Sequence, residues 1–241
     1  MITSVNNEKV KYWSSLKEKK YRNIYQKFLI EGKNLVEEAL KQKIVEELIV
    51  LGDTSDYDFK NTYFVNEKVM KKISDIESIP TVMAVCPYLK REGYDLERIL
   101  LLDDIQDSGN LGTIIRSASA FSVSLIVLSK NTVDEYNPKV LRSTAGMFFS
   151  VPIIRCDLEE FLKPLKNKNF KIYGTSVTNA TTLQNVDKKT PWIIIVGNEA
   201  RGVSQNLLEF THENIKISMN EKCESLNVGV ATSIILYEFS K

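Results

Sequence analysis

The sequence predicts an α/β protein in two parts, a small N-terminal α/β unit and a C-terminal unit built on a parallel sheet. Helical and strand patterns alternate along the whole chain. The C-terminal strands are nearly continuous apolar runs such as "RILLL" and "WIIIV", which is typical of parallel strands covered on both faces. Residues 87–96, "PYLKREGYDL", are polar and have no clear period. We therefore expect domains at 1–88 and 96–241.

The first unit begins with a helical pattern that extends to about Arg22. In "KNLVEEALKQK" the apolar residues Leu35, Val36, Ala39 and Leu40 have the spacing of an amphipathic helix. The other predicted elements are the strand "QKFLIEG", the strands "VEELIVLGD" and "NTYFVN", the helix "EKVMKKISD" and the strand "PTVMAVC".

The second unit repeats the alternation of strand and helix. Pro138 and Gly146 mark the start and end of one helix, and Pro164 breaks or bends another. The predicted strands are "RILLLDD", "SLIVLS", "FFSVPII", "FKIYGTSV", "PWIIIVGNE" and "NIKISM". The predicted helices are "GTIIRSASAF", "NPKVLRSTAG", "LEEFLKPLKN", "SQNLLEF" and "NVGVATSIILYEFSK".

Composition excludes several classes of protein. With 43% hydrophobic and 26% charged residues the chain is expected to fold and to be soluble. No apolar run approaches the length that a bilayer requires. The N-terminal "MITSVNNEKVKYW" has no apolar signal core, so we expect a cytoplasmic protein.

Cysteine and histidine usage argues against a metal site and against histidine catalysis. Cys86, Cys156 and Cys223 are far apart and form no CxxC pair, so neither a disulfide framework nor a zinc site is expected. The one histidine of the sequence, His212, lies in "EFTHENIKI". We interpret it as a residue of a surface turn.

The first 27 residues are basic and rich in aromatic residues. They contain seven lysines and arginines but only two glutamates, with Trp13 and three tyrosines between them. Such a composition suits a nucleic-acid-binding arm, where cations meet phosphates and aromatic rings stack on bases. The simpler interpretation of this stretch alone is a solvated helix face with its aromatic side chains packed inward.

Three loops that follow predicted strands are candidates for a binding site, because ligands collect at the carboxyl ends of parallel strands. In "DSGNLGTIIRSASAF", Asn110 suits a helix N-cap, and Gly109 and Gly112 permit close approach of a ligand to the backbone. Arg116 lies among apolar residues two turns into the helix. A capped helix with Arg116 extending outward explains the same residues.

The other two loops are "IIIVGNEARGVS" and "IKISMNEKCESLNVGVA". In the first, Glu199 and Arg201 follow a very apolar strand, which favours a functional site over a simple polar turn. In the second, Ser225 and Asn227 lie where the last helix begins, so either one could serve only as a cap.

Together the three loops resemble the three motifs of the SpoU/TrmH family of RNA 2′-O-ribose methyltransferases, in the SPOUT superfamily. "NLGTIIRSASAF" is similar to the first motif, "VGNEARGVS" to the second and "ISMNEKCESLNVGVATSIILYE" to the third. "LRSTAGMFFSVPI" is similar to the family's connecting segment, and "FLIEGKNLVEEAL" to the start of its substrate-binding domain, which resembles a ribosomal protein. Ser108 stands where the family often has proline, which changes only the stiffness of the turn.

The resemblance implies a C-terminal domain folded as a deep trefoil knot that binds S-adenosylmethionine (AdoMet). It also implies a homodimer formed through the knotted domains and an N-terminal domain that binds structured RNA. The long N-terminal region favours ribosomal RNA as the substrate, with tRNA as the alternative. The implied AdoMet-binding residues are Thr175, Ser176, Val177, Val196, Gly197, Ile217, Met219, Ser225 and Leu226.

The implied reaction moves the AdoMet methyl group to a ribose 2′-hydroxyl, and no metal is implied. A guanidinium does not lose its proton in proteins, so we expect Arg116 to act by charge on the hydroxyl and its phosphate rather than as a base. Glu199 would position the ribose or an arginine. The implied catalytic residues are Asn110, Arg116, Glu199, Ser225 and Asn227.

Three alternatives remain open. One is an RNA-binding protein that keeps the SpoU-like shell without catalysis. A second is a methyltransferase that modifies a base. A doubly wound nucleotide-binding enzyme is the weakest, because the chain has neither a Walker loop nor a dinucleotide-binding loop.

Overall fold

A computed structural model describes residues 1–90, 93–166, 168–189 and 191–241 of the chain. Its helices are α1 (Glu8–Ser15), α2 (Lys19–Tyr25), α3 (Lys33–Lys41), α4 (Glu67–Ile73), α5 (Ser108–Ala120), α6 (Pro138–Ser143), α7 (Leu158–Leu162), α8 (Gln205–Leu208) and α9 (Val228–Phe239). Its strands are β1 (Lys27–Glu31), β2 (Glu47–Leu51), β3 (Thr62–Val65), β4 (Val82–Pro87), β5 (Arg98–Leu102), β6 (Leu125–Leu128), β7 (Ile153–Arg155), β8 (Lys171–Thr175), β9 (Thr181–Thr182), β10 (Trp192–Val196) and β11 (Glu213–Lys216). Short 3₁₀ helices form at Met147–Phe149 and Leu183–Asn185.

The chain divides into two compact units, and one of them is discontinuous in sequence. The first comprises Met1–Lys90 with Asp134–Phe149, and the second comprises Arg91–Val133 with Ser150–Lys241. Residues 91 and 92, within the predicted boundary at 87–96, lie outside the described residues. The predicted division at 88 and 96 therefore places residues 134–149 with the second domain, whereas in the structure they pack in the first unit.

The first unit is a four-stranded mixed sheet with helices packed on it. Its strand order is β1-β4-β2-β3, with β4 antiparallel to both neighbours and β3 parallel to β2. One face is covered by α1 and α4, whose Trp13 and Met70 join Ile49 and Val85 of the sheet in one buried cluster. The amphipathic spacing of α3 correctly predicts its burial, since Leu35, Val36 and Ala39 are all buried.

The inserted segment 134–149 is held in the first unit by charge and by aromatic packing. Arg142 forms an ion pair with Glu31, whose other carboxylate oxygen accepts a hydrogen bond from Ser74 Oγ at 2.7 Å. Tyr136 lies 4.6 Å from the Phe28 ring, centroid to centroid, and stacks on Tyr88 at 4.2 Å. These contacts join residues more than 40 positions apart, which is why residue-by-residue patterns do not reveal them.

The basic N-terminal stretch is largely occupied by contacts within the protein. Trp13 is fully buried and donates a hydrogen bond from Nε1 to Glu47 Oε2 at 2.7 Å. Four of its seven cations form ion pairs: Lys9 with Glu47, Lys17 with Asp75, Arg22 with Asp134 and Lys27 with Glu46. These four cations are therefore paired within the protein, and the role of the stretch in binding RNA stays a prediction. The simpler interpretation, with aromatic side chains turned inward, holds for Trp13.

The second unit is a seven-stranded sheet with the order β7-β6-β5-β10-β8-β11-β9, and every pairing in it is parallel. Ile99 and Leu101 of β5 pack with Leu158 and Leu162 of α7 on one face. Leu100, which points to the opposite face, is equally buried. The parallel sheet covered on both faces, as the apolar runs predict, is confirmed.

Two local predictions can be compared with the structure. "FFSVPII" is not one strand, because Met147–Phe149 forms a 3₁₀ turn before β7 begins at Ile153. The predicted break at Pro164 is confirmed, because the helix in "LEEFLKPLKN" ends at Leu162, just before this proline, which cannot donate a helical hydrogen bond. In the described residues no helix has both the length and the apolar character needed to cross a membrane.

The Arg22–Asp134 pair yields a prediction about stability. Only 2% of the Arg22 side chain and 10% of the Asp134 side chain are exposed, and the guanidinium also donates to the carbonyl oxygens of Leu16 and Lys17. In Asp134→Ala the guanidinium would stay buried without its carboxylate. We expect this change to lower the free energy of unfolding by about 3 kcal/mol, measured by urea denaturation.

The double variant Arg22→Met/Asp134→Leu should recover most of that loss, because it removes both charges together. Glu38→Ala is the matched control, since its partner Lys41 is 68% exposed, and it should change the denaturation midpoint very little. An Asp134→Ala variant as stable as this control would contradict the prediction.

Candidate functional site

Three loops meet through a single side-chain amide. Asn110, in the first turn of α5, donates from Nδ2 to Glu199 Oε1 at 3.0 Å. Its Oδ1 accepts a hydrogen bond from Asn227 Nδ2 at 2.8 Å. Glu199 follows β10 and Asn227 precedes α9, so one residue from each predicted motif takes part in a continuous chain of hydrogen bonds.

The direction of each hydrogen bond in this chain is fixed by chemistry. An ionised carboxylate only accepts hydrogen bonds, so Asn110 must turn its NH₂ group toward Glu199. Its carbonyl oxygen is then left to accept from Asn227. The carbonyl oxygen of Asn227 in turn accepts from the backbone N–H groups of Gly229 at 2.9 Å and Val230 at 3.2 Å. The charge of Glu199 thus sets the orientation of both amides.

Glu199 is stabilised as an anion. Its partial burial alone would raise the pKa, but hydrogen bonds from the Asn110 amide and from backbone N–H groups, including those of Asp107 and Gln106, outweigh burial and hold the pKa of this carboxyl below its ordinary value. The two backbone bonds measure 3.4 Å each. Glu199 is therefore a fixed acceptor that ties the loop after β5 to the loop after β10, and it is unsuited to donate a proton.

The helix caps differ in part from the prediction. Asp107, rather than Asn110, is the N-cap of α5, and its Oδ1 accepts from the Asn110 N–H at 2.8 Å. Because Asp107 satisfies the backbone, the Asn110 side chain is free to bridge the other two loops. Asn227 is the N-cap of α9, as predicted, and it also contacts Asn110.

The loop after β10 is a tight turn in which the backbone closes on itself. The N–H of Asn198 donates to the carbonyl of Gly202 at 3.0 Å, and the N–H of Gly202 donates back at 2.9 Å. A Cβ at position 197 would lie 2.1 Å from backbone atoms of Gly202 and Val203, so only glycine fits there. The requirement for glycine at position 197 thus comes from the folding of its own loop.

Two of the predicted catalytic residues do not join this cluster. Arg116 is exposed on α5, and among the described residues its side chain forms no hydrogen bond or ion pair. Ser225 is exposed, and its carbonyl oxygen accepts a hydrogen bond from Cys223 Sγ at 3.3 Å. Among the described residues, Asn110, Ser225 and Asn227 form no hydrogen bond with Arg116.

Most of the predicted AdoMet-binding residues follow three neighbouring strands at one edge of the sheet. Thr175 ends β8, Val196 ends β10, and Ile217 follows β11. β8 pairs with both of the other strands, so these ends are adjacent. The remaining members of the set are Ser176, Val177, Gly197, Met219, Ser225 and Leu226.

The chemistry of this set fits the nucleoside part of AdoMet. None of the nine side chains is charged. Val177 is 64% exposed, although an apolar side chain is normally buried, and Leu226 is half-buried. Apolar walls with a few hydroxyl and backbone groups suit an adenine ring. Val196 fits less directly, because it is 3% exposed and its carbonyl already accepts from the Asp103 N–H at 2.8 Å.

Sequence reasoning missed Asp104, which follows β5. It has a left-handed backbone, with φ of 60°, and its carboxylate pairs with Arg201. Its carbonyl accepts from Asn198 Nδ2 at 2.8 Å. The strand pattern "RILLLDD" placed an acidic pair at the end of the strand, but only the fold shows what Asp104 contacts.

The remaining predictions about special residues concern cysteine and metal. Cys86 is buried, and burial raises the pKa of its thiol well above the ordinary value, which makes it unreactive. Within the described ranges no group of histidine, cysteine and acidic side chains has the arrangement to hold a metal ion. His212 accepts a hydrogen bond at Nδ1 from the Ile172 N–H at 3.1 Å and so supports the turn before β11.

Comparison with known proteins identifies the family. The SpoU rRNA methylase family model matches residues 97–237, which is more than half of the chain. This chain belongs to the SpoU rRNA methylase family. An MRM3-like substrate-binding domain model matches residues 7–84. The family resemblance carried by the three motifs is therefore confirmed, and with it the class of AdoMet-dependent RNA 2′-O-methyltransferases.

Individual relatives match nearly the whole chain. A 23S rRNA (guanosine(2553)-2′-O)-methyltransferase of Bacillus subtilis is 39% identical, covering 98% of this chain and 97% of that protein. An uncharacterized tRNA/rRNA methyltransferase of Synechocystis is 31% identical, covering 98% and 92%. The crystal structure of an AdoMet-bound rRNA methyltransferase from Sinorhizobium meliloti is 27% identical with a TM-score of 0.88, covering 99% and 96%. The α/β fold with its parallel sheet is that of the SpoU methyltransferases.

The bridge at Asn110 yields a prediction that depends on pH. Asn110→Asp removes the donor to Glu199 and places a second carboxylate beside it, so the pKa of Glu199 should rise. Stability from a lowered carboxyl pKa is present at neutral pH and is lost as pH falls through that pKa. We therefore expect the variant to be less stable at pH 7, by on the order of 1 kcal/mol after solvent screening. The deficit should shrink as the pH approaches 4.

Asn110→Ala is the matched control, since it removes the bridge without adding charge. Its deficit, measured by thermal denaturation across the same pH range, should not shrink as strongly as that of Asn110→Asp. Equal pH profiles for the two variants would show that Glu199 is not held by the Asn110 amide.

Proposed function

We propose that this protein transfers a methyl group from AdoMet to a ribose 2′-hydroxyl of 23S rRNA. The hydrogen-bonded cluster of Asn110, Glu199 and Asn227 is the observation that carries the proposal, because it joins the three family motifs in one place. The Bacillus subtilis relative, which matches along its whole length, is a 23S rRNA guanosine methyltransferase. A guanosine of 23S rRNA is accordingly the proposed target, and tRNA is the alternative.

The proposed cofactor site lies along the ends of β8, β10 and β11. AdoMet, when bound, supplies an activated methyl group on a sulfonium. The protein's task is then to hold the ribose oxygen in line with that group. Gly197 and the turn that follows it form a rigid wall, and Val177, Leu226 and Met219 provide apolar surface.

Arg116 is proposed to act on the ribose and its phosphate. Its side chain is exposed on α5, and a guanidinium serves in proteins as a fixed positive charge. A fixed cation beside the 2′-hydroxyl stabilises the developing alkoxide, and the proton leaves to phosphate or water. Asn110, Asn227 and Ser225 orient the ribose, and Glu199 keeps Asn110 in place.

The first unit is proposed to hold the RNA substrate, because residues 7–84 match an MRM3-like substrate-binding domain. Lys11, Lys19 and Lys20 are exposed on its surface. Among the described residues they have no carboxylate partner, so they are available to phosphates. Since the substrate is ribosomal RNA, we place the enzyme in the cytoplasm.

Methylation of a 23S rRNA transcript by the purified protein with labelled AdoMet tests the function. Nucleoside digestion should yield a 2′-O-methylated nucleoside. We expect Arg116→Ala to lower the single-turnover rate by about 100-fold or more, with AdoMet affinity unchanged by calorimetry. Arg116→Lys should recover part of the rate, because it keeps the charge but not the planar fork.

The outcomes separate the alternatives. A base-methylated product would assign the protein to base modification. AdoMet binding without methyl transfer to any ribosomal RNA would favour tRNA as the substrate. No AdoMet binding at all would favour a non-catalytic RNA-binding protein.

We further propose that the C-terminal segment passes through a loop of the second unit to form the trefoil knot. β11 lies three positions from β5 in the sheet, yet Asn227, which follows β11, contacts Asn110, which follows β5. The chain must therefore cross back over the sheet between residues 217 and 227. An experimental chain trace through this segment would decide whether the crossing is threaded.

We also infer that two copies pair through α9. Val230, Ile234 and Tyr237 are 47%, 36% and 52% exposed and repeat at the spacing of one helix face. A second copy of this chain is the proposed partner, because an apolar stripe on a helix that also packs against α5 is continuous with the core of the second unit.

Ile234→Asp tests this inference. We expect it to convert a dimer to a monomer at micromolar concentration in light scattering, because it places a charge in the centre of the apolar stripe. Ile24→Asp is the matched control, since Ile24 is 61% exposed on α2 in the first unit. A wild-type protein that is already a monomer under these conditions would contradict the inference.

A further inference from the structure

Arg201 is an exposed cation beside the cluster of motif residues. Its side chain is 75% exposed, and one of its terminal nitrogens pairs with Asp104 Oδ2. Arg201 and Glu199 lie two residues apart in the closed turn of Asn198 and Gly202. Consecutive Cα atoms are 3.8 Å apart, so Arg201 is within about 8 Å of Glu199 along the backbone.

Asp104 positions Arg201, and its own N–H, carbonyl and carboxylate are all hydrogen-bonded. Its N–H donates to Ser129 Oγ at 2.9 Å, and its carbonyl accepts from Asn198. Its Oδ1 accepts from Gln106 Nε2, and its Oδ2 accepts from Arg201 and, at 3.4 Å, from Asn198 Nδ2. A left-handed backbone at a residue other than glycine costs free energy and is common at functional sites. The fold thus maintains a strained residue whose carboxylate positions an exposed guanidinium.

Apart from Arg201, the charged side chains in the loops after β5 and β10, which form the rim of the site, are all acidic. Asp104, Asp107 and Glu199 all lie at the ends of β5 and β10, where they would repel a polyanion. A guanidinium has five N–H donors, and Asp104 engages only one of its nitrogens within the described part of the chain. Because the side chain is 75% exposed, the remaining donors are accessible, and the planar fork of a guanidinium matches the oxygens of a phosphate.

We propose that Arg201 binds an RNA phosphate next to the methylated nucleotide and that Asp104 is its positioning residue. This inference rests on the proposed function, because it takes RNA as the substrate. Arg201 would draw the backbone over the acidic rim and leave Arg116 to the reacting ribose. The partner of the motif arginine, Arg201, is then Asp104 rather than Glu199.

Binding of a 23S rRNA transcript, measured over a range of KCl concentrations in the presence of S-adenosylhomocysteine, tests the proposal. Each phosphate contact contributes about 0.7 to 0.9 to the slope of log affinity against log salt. Arg201→Ala should reduce the slope by about that amount and raise the KM for RNA about tenfold. Arg201→Lys should restore the slope but not all of the KM effect.

Asp104→Asn tests positioning separately. It keeps the shape of the side chain but releases the guanidinium from its ion pair, so RNA affinity should be retained while kcat falls. Lys241→Ala is the matched control, because Lys241 is 53% exposed, pairs with Glu238 and lies at the far end of α9 from Asn227. It should leave the salt slope and kcat unchanged.

Two results would overturn the proposal. Arg201→Ala with an unchanged salt slope and a lowered melting temperature would mean that Arg201 only stabilises the fold of its own loop. Arg201→Ala with weakened AdoMet binding in calorimetry and unchanged RNA affinity would make it a cofactor ligand. Failure of the proposed function is distinguishable, because the binding slopes can be measured even if the wild-type protein transfers no methyl group.

Discussion

The arrangement of the site depends on one constraint, the side-chain amide of Asn110 held between an anion and a second amide. A carboxylate at Glu199 can only accept, so it fixes which end of Asn110 faces Asn227. Asn227 must then present its own oxygen to the first turn of α9. A charge that follows β10 thereby sets the orientation of the Asn110 amide in the first turn of α5 and of the Asn227 amide that caps α9. Glutamine at position 199 could accept or donate and would leave both amides free to flip.

The strands bring the three loops next to each other, which the hydrogen bonds between Glu199, Asn110 and Asn227 could not do alone. β10 lies between β5 and β8, and their parallel register brings the carboxyl ends to one edge. Several backbone N–H groups of the loops at that edge are satisfied by polar side chains. Asp107 and Asn227 cap helices, Asn198 closes its turn, and Asp104 binds three segments. The concentration of asparagine and aspartate there reflects this need as much as it reflects chemistry.

Much of the fold could be predicted from the sequence, because apolar runs and amphipathic spacing are local signals. Every strand longer than two residues was expected near its observed place, whereas β9, with two residues, carries no pattern. The three motifs identified Asn110, Glu199 and Asn227, but their mutual contacts join residues about 90 to 120 positions apart. Asp104 was missed because its backbone strain and its partner exist only in the folded chain. The roles of Arg116 and Ser225 stay predictions, since neither joins the cluster.

The basic N-terminal stretch shows why composition alone misleads. Lys9 and Trp13 share the two oxygens of Glu47, a residue 34 positions beyond Trp13, so a cation and an aromatic ring that suit RNA binding serve the core instead. Arg22 is buried more deeply and pairs with Asp134, which lies 112 positions away in the sequence. Asp134 belongs to the segment 134–149, which packs in the first unit although the residues before and after it belong to the second unit. A cation whose donors are mostly taken by carboxylates or carbonyls of its own protein has few left for a phosphate. By that criterion the charges available to the proposed RNA substrate in the first unit are the exposed Lys11, Lys19 and Lys20. In the second unit they are Arg116, which is exposed on α5, and Arg201, whose one carboxylate partner leaves most of its donors open.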